Sequence, residues 1–235
     1  MIVEFQGPPG SGKSHVVNEL CELFDSQGIA TSQPQEFVRP GIGGARRATR
    51  LAILVLKECV LAPRETVSTA VLIARGQQGM RNRIGRPVTW TVVRGLFRRA
   101  RKHHDAIHLF DQGILQELAS ISFEGLPLPI SYADPGAARL GPDVLVTVEA
   151  EPKLCESRLL NRPHKESRIE RTESDVGNAL ETFEEQARSL RTEWLELHQH
   201  SLCAEPLSFD NGQNICFQKN IVLLGDRIVN LCRTQ

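Results

Sequence analysis

Eight residues near the start of the chain, Gly7-Pro8-Pro9-Gly10-Ser11-Gly12-Lys13-Ser14, have the types and the spacing to hold a polyphosphate. They fit G-x-x-x-x-G-K-[ST] throughout. Glycine at the crowded positions lets main-chain N–H groups close around a phosphate where a side chain would collide. The helix expected to follow aims its positive dipole end at the same anion. In such a loop Lys13 reaches the β- and γ-phosphates and the Ser14 hydroxyl ligates Mg²⁺, with His15 next in line as a nucleotide contact. The chemistry is transfer of the terminal phosphoryl group of a nucleoside triphosphate, with ATP and Mg²⁺ as the expected cofactors.

Such a loop needs an acid at the end of a neighbouring strand to orient the metal. Asp111, closing the run AIHLFD, fits that part, as ligand of Mg²⁺ or of its water. A second candidate set is basic. Arg158 and Arg162 are four apart on one predicted helix face, and Arg168 and Arg171 follow in a polar stretch. Arginines of this kind neutralise the oxygens of a phosphoryl group in flight, and residues 158–171 read as a lid that orders over bound nucleotide.

The acceptor side is expected in the basic segment 39–104. Between Arg39 and Lys102 there are fifteen Lys and Arg against two acids, Glu58 and Glu65, a local charge of +13 in a chain whose formal net charge is zero. A field so segregated attracts an anion. Arg39, Arg46, Arg47 and Arg50 are candidates for gripping an acceptor phosphate, carboxylate or sulfate, since guanidinium forks match those groups. Gln112 is a further acceptor contact, and Glu36 or Asp111 is the candidate base for the acceptor hydroxyl.

These residues need a frame. Residues 2–5 read as an apolar strand, and Val16, Val17, Leu20, Leu23 and Phe24 mark a helix from Ser14 to Asp25 closed by Gly28. A short second strand is expected within 29–33, then a Gly/Pro loop from Pro34 to Gly44. Helices are predicted over roughly 45–61, 64–79 and 88–103, broken at Pro63 and at the Gly85–Pro87 turn. Strands follow at 106–111 and 142–149, the latter β-branched and suited to burial on both faces. Pro152 sits in the first turn of a helix that must stop before Pro163. From Thr172 to His200 the apolar steps of three and four predict one long amphipathic helix. Leu207–Asp210 is a last strand and Ile221, Leu224, Ile228 and Leu231 a closing helix. Alternating strands and helices imply a parallel sheet with right-handed crossovers, α/β in class, and 235 residues suit a single domain.

Composition narrows the setting. Hydrophobic residues are 40% and charged residues 24%, ordinary for a globular protein. No apolar run approaches bilayer length and no signal peptide is visible, so a cytoplasmic protein is expected. The six cysteines are scattered, without C-x-x-C or zinc-ligand spacing, and read as reduced thiols.

Several blocks resemble the thymidylate kinase branch of the P-loop nucleoside and nucleotide kinases. They are IVEFQGPPGSGKS at the start, PDVLVTVEAEPKLCESRLLNRPHKESRIER in the middle, and Phe209-Asp210-Asn211-Gly212 before the closing helix. The resemblance implies a P-loop NTPase sheet of five parallel strands in the order 2-3-1-4-5 with helices on both faces. It also places Asn211 beside the adenine. The branch has Asp-Arg after its third strand where this chain has Asp111-Gln112, so the resemblance covers the nucleotide side. The reading is an ATP-dependent phosphotransferase acting on a small anionic acceptor, for which a nucleoside monophosphate is one candidate. Two alternatives belong to other classes. A nucleic-acid binder or polynucleotide 5′-kinase would lay the basic surface on a phosphate backbone, but the segment offers only Trp90 and Phe97 as stacking aromatics. A nucleotide-operated switch lacks a guanine-specificity motif such as N-K-x-D. The sequence leaves a homodimer open.

Overall fold

The computed structural model describes residues 1–38, 43–77, 79–124, 140–162, 176–197, 206–212 and 216–234. Its centre is β1 (Ile2–Gln6), paired in parallel with β3 (Ile107–Phe110) on one side and β4 (Val144–Glu149) on the other. β2 (Thr31–Ser32) flanks β3, and β5 (Leu207–Asp210) flanks β4, giving five parallel strands in the order 2-3-1-4-5. The chain leaves β1 towards β3 and β2 and later returns to lay β4 and β5 on the opposite side. That reversal opens a crevice at the carboxyl ends of the central strands, where open parallel sheets bind ligands.

Strand periodicity explains an unusual feature of β1. Val3 and Phe5 point to the face covered by α1 (Lys13–Ser26) and α8 (Phe217–Thr234), within a core shared with Val144, Val146 and Val148. Ile2 points to the other face, and by alternation so do Glu4 and Gln6, towards α5 (Ile114–Glu124) and α7 (Val176–Leu197). A strand covered on both faces thus carries two buried polar side chains. Gln6 Nε2 donates to the Ala187 carbonyl of α7 at 3.4 Å.

The basic segment is helical: α2 (Gly44–Leu61), α3 (Pro63–Gly76) and α4 (Met80–Ala100). The break expected at Gly85–Pro87 is absent, because α4 begins at Met80 and runs through Pro87, while α3 ends at Gly76. Gly79 stands at φ 77°, which a side chain disfavours, so the chain turns there. Pro87 costs α4 one backbone bond. The helix persists because burying Trp90, Leu96 and Phe97 against Phe110 and Leu118 outweighs that loss. Pro34–Val38, expected as loop, forms a 3₁₀ turn. α6 (Pro152–Leu160) stops before Pro163 as expected. Among the described residues no helix is long and apolar enough to cross a membrane.

Candidate active site

The Gly7–Ser14 loop joins β1 to α1 at the carboxyl edge of the sheet, and its neighbours leave its glycines no room for side chains. A Cβ on Gly7 would strike the Val148 carbonyl, and one on Gly10 would stand 2.6 Å from the Cys155 carbonyl. Gly10 and Gly12 hold φ of 87° and 91°. From behind, the Arg158 guanidinium donates to the carbonyls of Gly10 (3.2 Å), Ser11 (3.4 Å) and Asn211 (3.4 Å), while Asn211 Nδ2 donates to the Ser11 carbonyl at 2.6 Å. Arg158 and Asn211 therefore brace the loop, and Arg158 is off the wall of the cavity that the loop faces.

That cavity measures about 460 Å³. At one end Lys13 Nζ donates to the carbonyls of Gly7 (2.7 Å) and Pro8 (3.0 Å). Burial pulls its ammonium pKa down to about 8, with the Asp111 charge opposing. Ser14 Oγ donates to Asp111 Oδ2 at 2.6 Å across 97 residues of sequence. His15, Gln112 and Arg162 also line this cavity, so loop lysine, hydroxyl, strand-end acid and one predicted arginine converge on one space. Arg168 lies outside the described residues, as does the rest of the expected lid beyond Arg162.

The rest of the wall is formed by side chains the motif reading missed. Arg86 of α4, 1% exposed, meets Glu117 of α5 at 3.2 Å and donates to the Ser120 carbonyl at 2.9 Å. Gln116 accepts from the Gly7 amide at 3.2 Å, tying α5 to the loop. Phe123 and Phe183, edge to face with centroids 6.1 Å apart, complete the wall. Beneath them Glu4 Oε1 accepts the Gln116 amide at 2.9 Å, and Gly113 leaves no space for a Cβ against the Glu4 carboxyl. Burial pushes the Glu4 pKa up to about 8, although the amides of Gln116, Leu115 and Ile114 pull it down. The available signal was Gln116-Glu117, a polar pair inside the apolar run ILQELASI just after the strand-end acid.

The acceptor candidates of the basic segment fall elsewhere. Arg46 and Arg47 are exposed on the first turn of α2, with Arg47 Nε donating to the Val38 carbonyl at 2.9 Å. Arg50 and Arg99 both stack on the Phe37 ring, 4.7 and 4.3 Å from its centroid. Glu36 and Arg50 line a separate cavity beside His103 and Asp105. The 3₁₀ turn carries Glu36 and Phe37 beside the β2 edge of the sheet, and from the same turn Gln35 Nε2 donates at 3.2 Å to the carbonyl of Gln112, which lines the loop's cavity. Arg39 lies outside the described residues. Other arginines of the segment turn inward: Arg94 bonds Glu65 at 2.9 Å and faces Glu58 at 3.8 Å, and Arg98 bonds Glu58 at 2.9 Å. Both acids of the basic stretch are engaged inside it.

Hard oxygen donors such as Ser14 and Asp111 suit Mg²⁺, which takes one or two protein ligands and completes its shell with water and phosphate. The glycine cradle that any Cβ would fill suits a polyphosphate. Among the described residues no group of three or more His, Cys, Asp or Glu gathers as an all-protein metal cage.

No family model and no curated protein matches the chain. Among solved structures it superposes on deoxyadenosine kinase from M. mycoides with bound dATP, TM-score 0.52 at 12% identity, over 97% of this chain and 100% of that one. The same enzyme with its products dCMP and a flexible dCDP gives 0.51 at 12% identity, over 98% and 100%. With bound dCTP it gives 0.50 at 11% identity, over the same shares. At this identity the likeness is one of fold, that of P-loop nucleoside kinases. The comparison bears out the expected sheet and fold, and it does not support the thymidylate kinase branch in particular.

Proposed function

We propose that the protein is an ATP-dependent phosphotransferase whose acceptor is a nucleoside-class small molecule. The observation that carries this reading is the Ser14–Asp111 contact at 2.6 Å beside Lys13, at the mouth of a cavity that continues to Arg86 and Glu117. A triphosphate in the glycine cradle would present its γ-phosphorus to the middle of that cavity. Lys13 would leave the loop carbonyls to bind the terminal phosphates, and Arg162 could add charge to their oxygens. Bound Mg²⁺, held through Ser14 and Asp111, would neutralise charge on the β- and γ-oxygens. The acceptor oxygen bonds the γ-phosphorus as the bond to the β,γ-bridging oxygen breaks, and the acceptor proton passes to a carboxylate of the wall. Asp111 is the wall acid beside the loop; Glu36 lies on another cavity.

The acceptor end argues for a neutral, hydrogen-bonding molecule. Arg86 is already met by Glu117, so an incoming phosphate would confront a carboxylate as well as a guanidinium. The Arg86–Glu117 pair offers donors and acceptors side by side, and the two phenylalanines offer apolar cover for a flat ring. Deoxyadenosine kinase, whose fold the chain shares, supports the same class. An anionic acceptor such as a nucleoside monophosphate is the second reading, favoured by the surplus positive charge of residues 39–102.

An ATP-consumption screen over nucleosides, nucleoside monophosphates, sugars and amino-alcohols decides between them. Turnover with a nucleoside supports the first reading and turnover only with monophosphates the second. No turnover with any, by a folded protein that binds Mg-ATP, removes both. Asp111→Asn is expected to raise the Mg²⁺ concentration needed for half-maximal rate about tenfold, more than it weakens nucleotide binding. An unchanged Mg²⁺ titration would make Asp111 a turn residue and nothing more.

A further inference from the structure

We propose that His15 and Phe217 form an aromatic shelf on which the base of the phosphoryl donor stacks, so that the donor site selects for a nucleobase and favours purines. This rests on the kinase reading above and specifies what its donor site recognises beyond phosphate. The two rings lie parallel, 7° apart, with centroids separated by 4.7 Å. Phe217, the first residue of α8, meets the buried Phe209 of β5 edge-on at 5.7 Å. Three rings therefore run from the core of the sheet to the surface, each fixing the plane of the next. His15 is the last of them. Its side chain is 60% exposed and it lines the cavity of the glycine loop, so the stack ends in a flat face open to the ligand.

The imidazole is held against the Phe217 ring, and its Nδ1 lies 3.8 Å from Glu19 Oε1 one helical turn on, beyond hydrogen-bond distance. A base docking on this ring meets a surface already ordered, and the entropy of immobilising a free side chain is not spent on binding. Position agrees with the chemistry. His15 follows Ser14 directly, so a base on the shelf lies on the α1 side of the cradle, leaving Arg86 and Glu117 free for the acceptor. Stacking carries no base-edge readout and scales with ring area, which gives purine over pyrimidine preference without strict specificity.

The test compares ATP, CTP and inorganic tripolyphosphate binding to the full chain with Mg²⁺ by calorimetry. ATP is expected to bind tightest and tripolyphosphate weakest. His15→Ala should weaken ATP about tenfold, the scale of a lost stacked base, and leave tripolyphosphate within twofold. His15→Tyr should restore ATP binding. Phe217→Ala should act in the same direction through the unsupported imidazole. The shelf is overturned if wild type binds ATP and tripolyphosphate equally, or if His15→Ala weakens both alike. It is equally overturned if His15→Ala changes neither. A wild-type chain that binds neither compound removes the kinase reading itself, an outcome distinct from failure of the shelf.

Discussion

The basic helices were as prominent in the sequence as the glycine loop, yet it is the loop that gathers its predicted side chains about one cavity, with Lys13, Ser14 and Asp111 on the wall. Its residues act through backbone positions, so their roles follow from spacing over eight residues. The arginines of α2–α4 act through long side chains, whose direction depends on which helix face is buried. Arg94 and Arg98 turn into the helical layer to meet Glu58 and Glu65, and among the described arginines of the segment Arg86 is the one that lines the site cavity. A run of positive charge is therefore a weaker guide to ligand contact than one short motif, because internal pairing competes for the same guanidinium groups.

The largest effect expected from this comparison belongs to Lys13→Ala. The variant should melt within a few degrees of wild type and lose phosphoryl transfer by several orders of magnitude. A folded variant with near-normal turnover would break the assignment of the loop. On the helical side Glu58→Ala should do the reverse. It strips the buried Arg94 and the half-buried Arg98 of a shared carboxylate and should destabilise by about 3 kcal/mol, near the lower bound for a broken buried pair, since Glu65 still meets Arg94. Urea unfolding measures this, and an unchanged midpoint would return these arginines to the surface.

Glu4→Gln sharpens the comparison through pH. The Glu4 pKa is raised from 4.5 to about 8 by folding. The folded chain therefore holds a proton that the unfolded chain gives up between those values. The stabilisation is full below pH 4.5 and is lost as pH rises towards 8. Glutamine keeps the acceptor oxygen for the Gln116 amide and removes the titration. Its melting temperature should gain on wild type steadily from pH 5 to 8, and parallel curves would show that Glu4 ionises freely. The smallest effect is expected from Arg46→Ala with Arg47→Ala, both exposed on α2. Since neither lines the loop's cavity, together they should leave kcat/KM within about twofold, and a tenfold loss would place the acceptor on α2 as the charge of the segment suggests.

Most elements were legible because β-branched runs, helical apolar spacing and Gly/Pro breaks are local signals, whereas the strand order was implied only by the resemblance to the thymidylate kinase branch. Pro87 misled because its cost to α4 is local, while the burial of Trp90 and Phe97 that repays it is tertiary. Gln116 and Glu117 were missed for a related reason. Nothing within α5 tells which of its polar residues will face Gly7 and Arg86 once the helix packs between β1 and α7. The partnership of Ser14 with Asp111 was within reach because a strand end is a fixed address in a parallel sheet.

Gly10 rests on the main chain of Cys155, and Arg158 and Asn211 fasten the same loop to α6 and to the end of β5. The loop is thus no detachable cassette. Grafted with β1 and α1 alone onto another parallel sheet, it would carry its motif without its curvature. Drift in the sequence of α6 would reach the phosphates without altering any residue between Gly7 and Ser14.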